Sequence, residues 1–151
     1  MNLVTIFAGL CAFMSASVIG LWIKKRFIRK AVFYEGYYDY LQFCTEKICY
    51  ERMPIGELNE AFFKKNKGEF VCFLQKNETN LPLSEETVSE IRDYLQTIGT
   101  TDAETQVASL RGKCAEMKRF TETECVKFKK DGALYFKLSA LVGAVLFIIL
   151  V

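Results

Sequence analysis

Hydrophobic positions run unbroken near the two ends of the chain and recur at helical spacing between them. The stretch LVTIFAGLCAFMSASVIGLWI, Leu3 to Ile23, carries no charge and is long enough to cross a bilayer as one helix. The run after Lys137 would be about 21 Å as a helix, against the roughly 30 Å of a hydrocarbon core. Counted from Gly132 it reaches spanning length. Lys137 then sits near the membrane entry, its ammonium led back to the headgroups along an apolar stem, and Tyr135 lies where an interfacial aromatic belongs. Each end has an alternative: a cleaved signal peptide for the first run, and a re-entrant or amphipathic segment for the second. The first run lacks a basic residue ahead of its apolar core and is followed by KKRFIRK, which favours an uncleaved anchor.

Between the runs the apolar positions step by three and four, so every predicted element is a helix. Phe27, Ala31, Tyr34, Tyr38, Leu41, Thr45 and Ile48 form one stripe, which leaves Tyr37 and Tyr40 off it and open to a partner. Gly36 weakens this helix without ending it, and Pro54 ends it and begins the next, PIGELNEAFFKKN. GEFVCFLQ reads as a short helix and KNETNLP as a turn. Ser84 caps a helix striped by Val88, Ile91, Leu95 and Ile98, closed by Gly99 in a left-handed conformation. Thr101 and Glu104 match a capping box, so a new helix starts at once and folds back as a hairpin. Its stripe runs through Leu110, Cys114, Met117 and Cys125, with Gly112 and Gly132 as soft spots, and no break is expected between Asp102 and Lys137.

The predicted fold is therefore all-α: a membrane-anchored helical hairpin or bundle domain flanked by N- and C-terminal transmembrane helices. Its segments are 1–23 (first span), 24–131 (helical domain) and 132–151 (second span).

Charge sharpens the picture. The formal net charge is only +2, yet every Lys, Arg, Asp and Glu lies from Lys24 to Lys137. Lys24, Lys25, Arg26, Arg29 and Lys30 flank the first span; Lys127, Lys129, Lys130 and Lys137 flank the second. Both clusters belong to the same intervening segment, so the positive-inside rule places that segment in the cytoplasm. Position beside a membrane accounts for these clusters, and no nucleic-acid partner is expected.

Candidate chemistry adds little. The chain has six cysteines and no histidine. The five cysteines of the middle segment show no CxxC pair, and Cys44 and Cys49 have the wrong spacing for a zinc knuckle, so neither disulfides nor a metal site are expected. No catalytic, cofactor-binding or metal residues are assigned, because no glycine-rich phosphate loop, GxSxG turn or activated nucleophile is present. A non-enzymatic protein that binds other proteins is the expectation.

Two motifs carry a family resemblance. LQFCTEKICYERMPI resembles the helix-turn segment of the stage III sporulation protein AB family through Leu41, Gln42, Ile48, Tyr50, Pro54 and Ile55. YLQTIGTTDAETQ resembles its second signature through Ile98, Gly99, Thr100, Asp102 and Gln106. The order of span, helices and span agrees, so the likeness extends over nearly the whole chain. Thr45 and Lys47 depart from it, standing where the family usually carries acids; so do Leu95, where glycine is common, and Met53, where threonine often precedes the proline.

The resemblance implies a scaffold in the transenvelope complex between mother cell and forespore. Its partners would be other stage III sporulation membrane proteins and a cytosolic secretion-type ATPase, and self-association into a homo-oligomer stays open. The location implied is the mother-cell membrane around the forespore. The family is itself similar to the platform proteins of type II secretion and type IV pili. Gly99, Thr100, Asp102 and Gln106, with Tyr37, Tyr40, Tyr50 and Pro54, are the candidate partner-binding residues. A plain interhelical turn is the other reading of the Gly99–Asp102 corner. The alternatives for the chain are a platform-like subunit of another secretion or pilus machine and a membrane-anchored regulator.

Overall fold

The computed structural model describes residues 3–51, 53–75 and 81–150. Of the described residues 89% are helical and none is in a strand. Helix α1 runs Leu3–Glu51, α2 Ile55–Lys65, α3 Glu69–Leu74, α4 Glu85–Thr97 and α5 Ala103–Phe120. A π-helical turn, Thr121–Cys125, follows, and then α6, Val126–Leu150. The chain divides into a terminal unit, Met1–Arg29 with Val126–Val151, and a helical unit, Lys30–Cys125.

In the terminal unit two apolar helices pair through small residues. A β-carbon at Gly20 would lie 2.7 Å from Ser139 Cβ, and one at Gly143 would lie 3.1 Å from Ala16 Cβ. Glycine at these points lets the two backbones approach, which is how helices associate where lipid removes the hydrophobic drive between them. The Ser139 hydroxyl donates to the Ala16 carbonyl across the seam. Since 20 meets 139 and 16 meets 143, the pair is antiparallel. Only 11% and 6% of the two apolar windows are buried, whereas the core helix of a soluble protein is mostly buried. Both helices are long and apolar enough to cross a membrane.

In the helical unit α1 is covered on more than one side, which corrects the single-stripe reading. Ala31, Phe33, Tyr34, Tyr37, Tyr40, Leu41 and Cys44 are all buried, while Tyr38 is half-buried. Phe70 of α3 is the hub on one side. Its ring lies 5.3 Å from Phe33, 5.4 Å from Tyr37 and 5.6 Å from Tyr40. Gly36 makes this approach possible, because a β-carbon there would stand 2.9 Å from Phe70 Cβ. Phe62 of α2 adds an edge-on contact with Tyr40 at 5.1 Å. On another side α5 supplies Cys114, 3.6 Å from the Thr45 hydroxyl, and Phe120, whose ring is 4.6 Å from Tyr34. Aromatic pairs of this kind contribute about 0.5–1.5 kcal/mol each beyond their area burial.

The helix ends follow local chemistry, with two corrections. Ser84 caps α4, its oxygen accepting from the Thr87 amide at 3.3 Å. Gly99 takes φ 91°, and α5 returns beside α4: Tyr94 meets Ser109 at 3.5 Å, and the Lys113 ammonium sits 5.7 Å from the Tyr94 ring centre. The cap of α5, however, is Asp102 and not Thr101. Its carboxylate accepts from the Thr105 amide at 3.1 Å. The second correction concerns the soft spots: α5 passes through Gly112 and α6 through Gly132, and the ladder changes instead at Thr121–Cys125. There Thr121 and Thr123 donate back to the carbonyls of Lys118 and Arg119 at 2.8 and 2.7 Å, the competition by which threonine disturbs a helix. Most of the predicted KNETNLP turn, residues 76–80, lies outside the described residues.

Two buried tyrosines separate the value of a made hydrogen bond from an unmade one. The Tyr40 hydroxyl donates to Asn59 Oδ1 at 2.7 Å, whereas the Tyr37 hydroxyl is buried with no protein partner. Tyr40→Phe is expected to lower stability by about 1 kcal/mol, and Tyr37→Phe to leave it unchanged or raise it slightly. Urea unfolding of the full chain in detergent, followed by circular dichroism, checks both.

Candidate functional site

The helical unit hides its large hydrophobic side chains well. Among its described residues only Val32 and Tyr50 are large hydrophobics left exposed, and Tyr50 is 82% exposed. Tyr50 stands in the last turn of α1, which continues past its last buried side chain, Cys44. Across that turn Lys47 pairs with Glu51.

Near Tyr50 in the chain lies a cleft of about 520 Å³ lined by Ile48, Met53, Pro54, Ile55, Gly99, Thr101 and Gln106. Three elements build it. The end of α1 gives Ile48. Pro54, with φ −66° and ψ 147°, turns the chain and starts α2, its carbonyl accepting from the Leu58 amide at 3.0 Å. The α4–α5 turn gives the rest. Ile98 is buried, and Gly99 adopts its positive φ directly against Ile55, where any β-carbon would overlap the Ile55 δ-methyl.

Gln106 locks the turn. It is 5% exposed, and its Oε1 accepts from the Gly99 amide at 2.7 Å, while its own amide donates to the Asp102 carbonyl at 2.9 Å. Thr100 Oγ1 donates to the Thr97 carbonyl at 2.8 Å. The Asp102 carboxyl is fully exposed, and the backbone amide of Thr105 holds it below its ordinary range, so it is charged at neutral pH. Together these groups form a mostly apolar hollow with a polar margin.

The structure brings Pro54, Gly99 and Gln106 of the sequence candidates into one lining, with Thr100 and Asp102 next to it in the chain. It does not bring Tyr37 and Tyr40 to a partner surface. They are 1% and 3% exposed, because α3 covers the face that the single stripe leaves open. Burial pushes both phenols well above their ordinary pKa. Met53 and Thr101 were not among the candidates, since their local signals, a residue before a proline and a helix cap, point to chain turns and not to a surface; the cleft gathers them with the starts of α2 and α5.

Burial raises the Cys44 thiol to about 12 and also raises Cys114, so both remain protonated. Among the described residues no group of three acidic, cysteine or histidine side chains is placed to hold a metal ion. In the terminal unit Lys25, Arg26, Arg29, Lys127, Lys129, Lys130 and Lys137 are exposed and Lys24 is half-buried; Lys30, in the helical unit, is also half-buried.

The Gly99 turn gives a two-part test. Gly99→Ala is expected to cost about 1–3 kcal/mol from the left-handed backbone alone, with the clash on Ile55 in addition. Ile55→Val removes the clashing methyl, so the double variant should recover the clash share and keep the backbone share, as read by urea unfolding of the four proteins.

With this geometry in view, comparison with known proteins gives one match. The sequence model of a family described as stage III sporulation protein AB matches residues 70–151, more than half the chain. The YLQTIGTTDAETQ signature lies inside that stretch, and LQFCTEKICYERMPI lies outside it. Neither a curated protein nor a solved structure matches the chain.

Proposed function

Because the chain belongs to the stage III sporulation protein AB family, whose name marks it as a sporulation protein, we propose that it is a membrane-held, non-enzymatic scaffold that docks a cytosolic ATPase. Its place is the mother-cell membrane around the forespore, with the helical unit in the cytoplasm and other sporulation membrane proteins beside it. One observation carries the docking site. Among the described residues of the helical unit only Val32 and Tyr50 are large apolar side chains left exposed, and Tyr50, at 82%, stands two positions from Ile48 of the apolar cleft. Tyrosine is among the residue types enriched in binding hot spots, where a few residues supply most of the affinity.

Two further features support this reading. The Gln106–Gly99 lock and the Asp102 cap fix the turn before a partner arrives, which lowers the entropy lost on docking. Membrane attachment holds the protein among partners in the same bilayer and raises their effective concentration.

The test separates docking from folding. Tyr50→Ser is expected to leave unfolding by urea unchanged within about 0.5 kcal/mol, because an exposed side chain is replaced away from the core. It should reduce ATPase recovered with the tagged full-length protein at least about tenfold, as a lost hot spot would. Deleting the gene in its host should sharply lower the count of heat-resistant spores. Undiminished ATPase recovery by Tyr50→Ser would reject the docking site, and a normal spore count would reject the role.

A further inference from the structure

The small net charge conceals a segregation. The terminal unit carries eight Lys and Arg against one acid, Asp131, and is therefore +7; the helical unit carries twelve against seventeen and is −5. All eight bases of the terminal unit lie in Lys24–Arg29 and Lys127–Lys137, and the remainder of that unit is uncharged. The positive-inside rule asks only for an excess of basic residues on one side. It does not ask that two basic runs be pressed together, yet they are. A β-carbon at Gly132 would lie 3.1 Å from Phe27 Cβ and 3.4 Å from the Lys24 carbonyl, so the backbones touch at the level of highest charge.

Aromatic rings mark the same level. Phe27 stacks on Tyr135 at 5.6 Å with 13° between their planes and meets Phe128 at 6.5 Å. The Lys24 ammonium lies 5.5 Å from the Phe136 ring centre, and the Arg26 guanidinium 5.8 Å from that of Trp22. Of these rings Trp22 and Tyr135 are amphipathic and settle at headgroup depth, so Arg26 beside Trp22, and the basic residues at the same level, are held where a bilayer keeps its phosphates. Exposed apolar side chains continue from this collar on both helices, Leu21 and Val18 on α1 and Leu138 and Leu141 on α6, and offer acyl chains a surface. We propose that the collar is a binding site for anionic phospholipids, whose phosphates seat among Lys24, Arg26, Lys127, Lys129 and Lys130. The combination of clustered bases, aromatic depth marker and apolar flank fits a lipid headgroup better than a free anion, which needs only the bases.

Trp22 is the chain's single tryptophan and is 63% exposed at the collar, so it reports the lipid beside it. The full-length protein is reconstituted in vesicles of equal phosphatidylglycerol and phosphatidylcholine, with brominated acyl chains on one lipid or the other. Quenching of Trp22 by brominated phosphatidylglycerol should correspond to about threefold or greater enrichment over phosphatidylcholine, an anionic preference of the kind basic juxtamembrane clusters produce. The enrichment should fall towards one in 0.5 M NaCl and in the Lys127→Gln, Lys129→Gln, Lys130→Gln variant, and should persist in the matching triple arginine variant. Added inorganic phosphate at millimolar concentration should leave it intact.

Equal quenching by the two lipids would overturn the proposal while leaving membrane insertion standing. A preference that survives both salt and the glutamine variant would also overturn it. So would loss of the preference to millimolar phosphate or to a short RNA, which would make the collar a general anion site. Absence of quenching by either lipid would sink membrane insertion itself.

Discussion

The notch that Gly36 leaves in α1, and the Phe70 ring root seated in it, decide how the helical unit is assembled. With no side chain at 36, Phe70 drops onto the helix and reaches Phe33, Tyr37 and Tyr40 at once. That single seating anchors the short α3, which could not hold its shape alone, since six residues are too few for an isolated helix. Phe62 then meets the same ring set through Tyr40, which fixes α2, and α2 carries Ile55 to the Gly99 turn. The cleft at the end of α1 is therefore a remote consequence of packing at its middle.

This dependence explains what could and could not be read from the sequence. Elements whose signals are local were legible: the Ser84 cap, the Pro54 start of α2, the positive φ at Gly99, and the helical state of GEFVCFLQ between helical neighbours. The Gly99–Gln106 region of the candidate site was legible because turn chemistry concentrates there. The burial of Tyr37 and Tyr40 was not. A stripe of period 3.6 describes a helix packed on one face, and α1 is packed on more than one, so off-stripe positions become core as soon as α3 arrives. The cap at Asp102 in place of Thr101 shows a finer limit, since adjacent residues of equal capping ability are told apart only by which carboxylate or hydroxyl meets the Thr105 amide. The π turn at Thr121–Cys125 had a faint signal in its two threonines, but threonine occurs in many regular helices.

Charge taught a similar lesson about averages. A net of +2 suggests a molecule with no electrostatic character, whereas +7 in one unit and −5 in the other gives two parts with opposite preferences. Sharing one chain, they need not share partners. A positive collar favours an anionic surface, and the acidic balance of the helical unit disfavours the same surface.

The exposure of Tyr50 follows from where α1 stops. Leu41 and Cys44 are fully buried, and beyond them Cys49, Tyr50 and Glu51 are exposed, so the helix outlasts the core that supports it. An exposed helix end with no burial to hold it should fray, because the last carbonyls lack partners within the helix. Here the Lys47–Glu51 pair lies across that turn, and Pro54 fixes the direction in which the chain leaves. The surface ion pair contributes little on its own, since exposed pairs are worth about 0–1 kcal/mol. Its effect is positional: a turn that stays helical holds Tyr50 in one place, and an aromatic side chain with few rotamers loses little entropy when a partner covers it. A frayed end would present the same phenol at many angles and could not serve as an anchor. The order at the end of α1 thus rests on a local contact and not on the core.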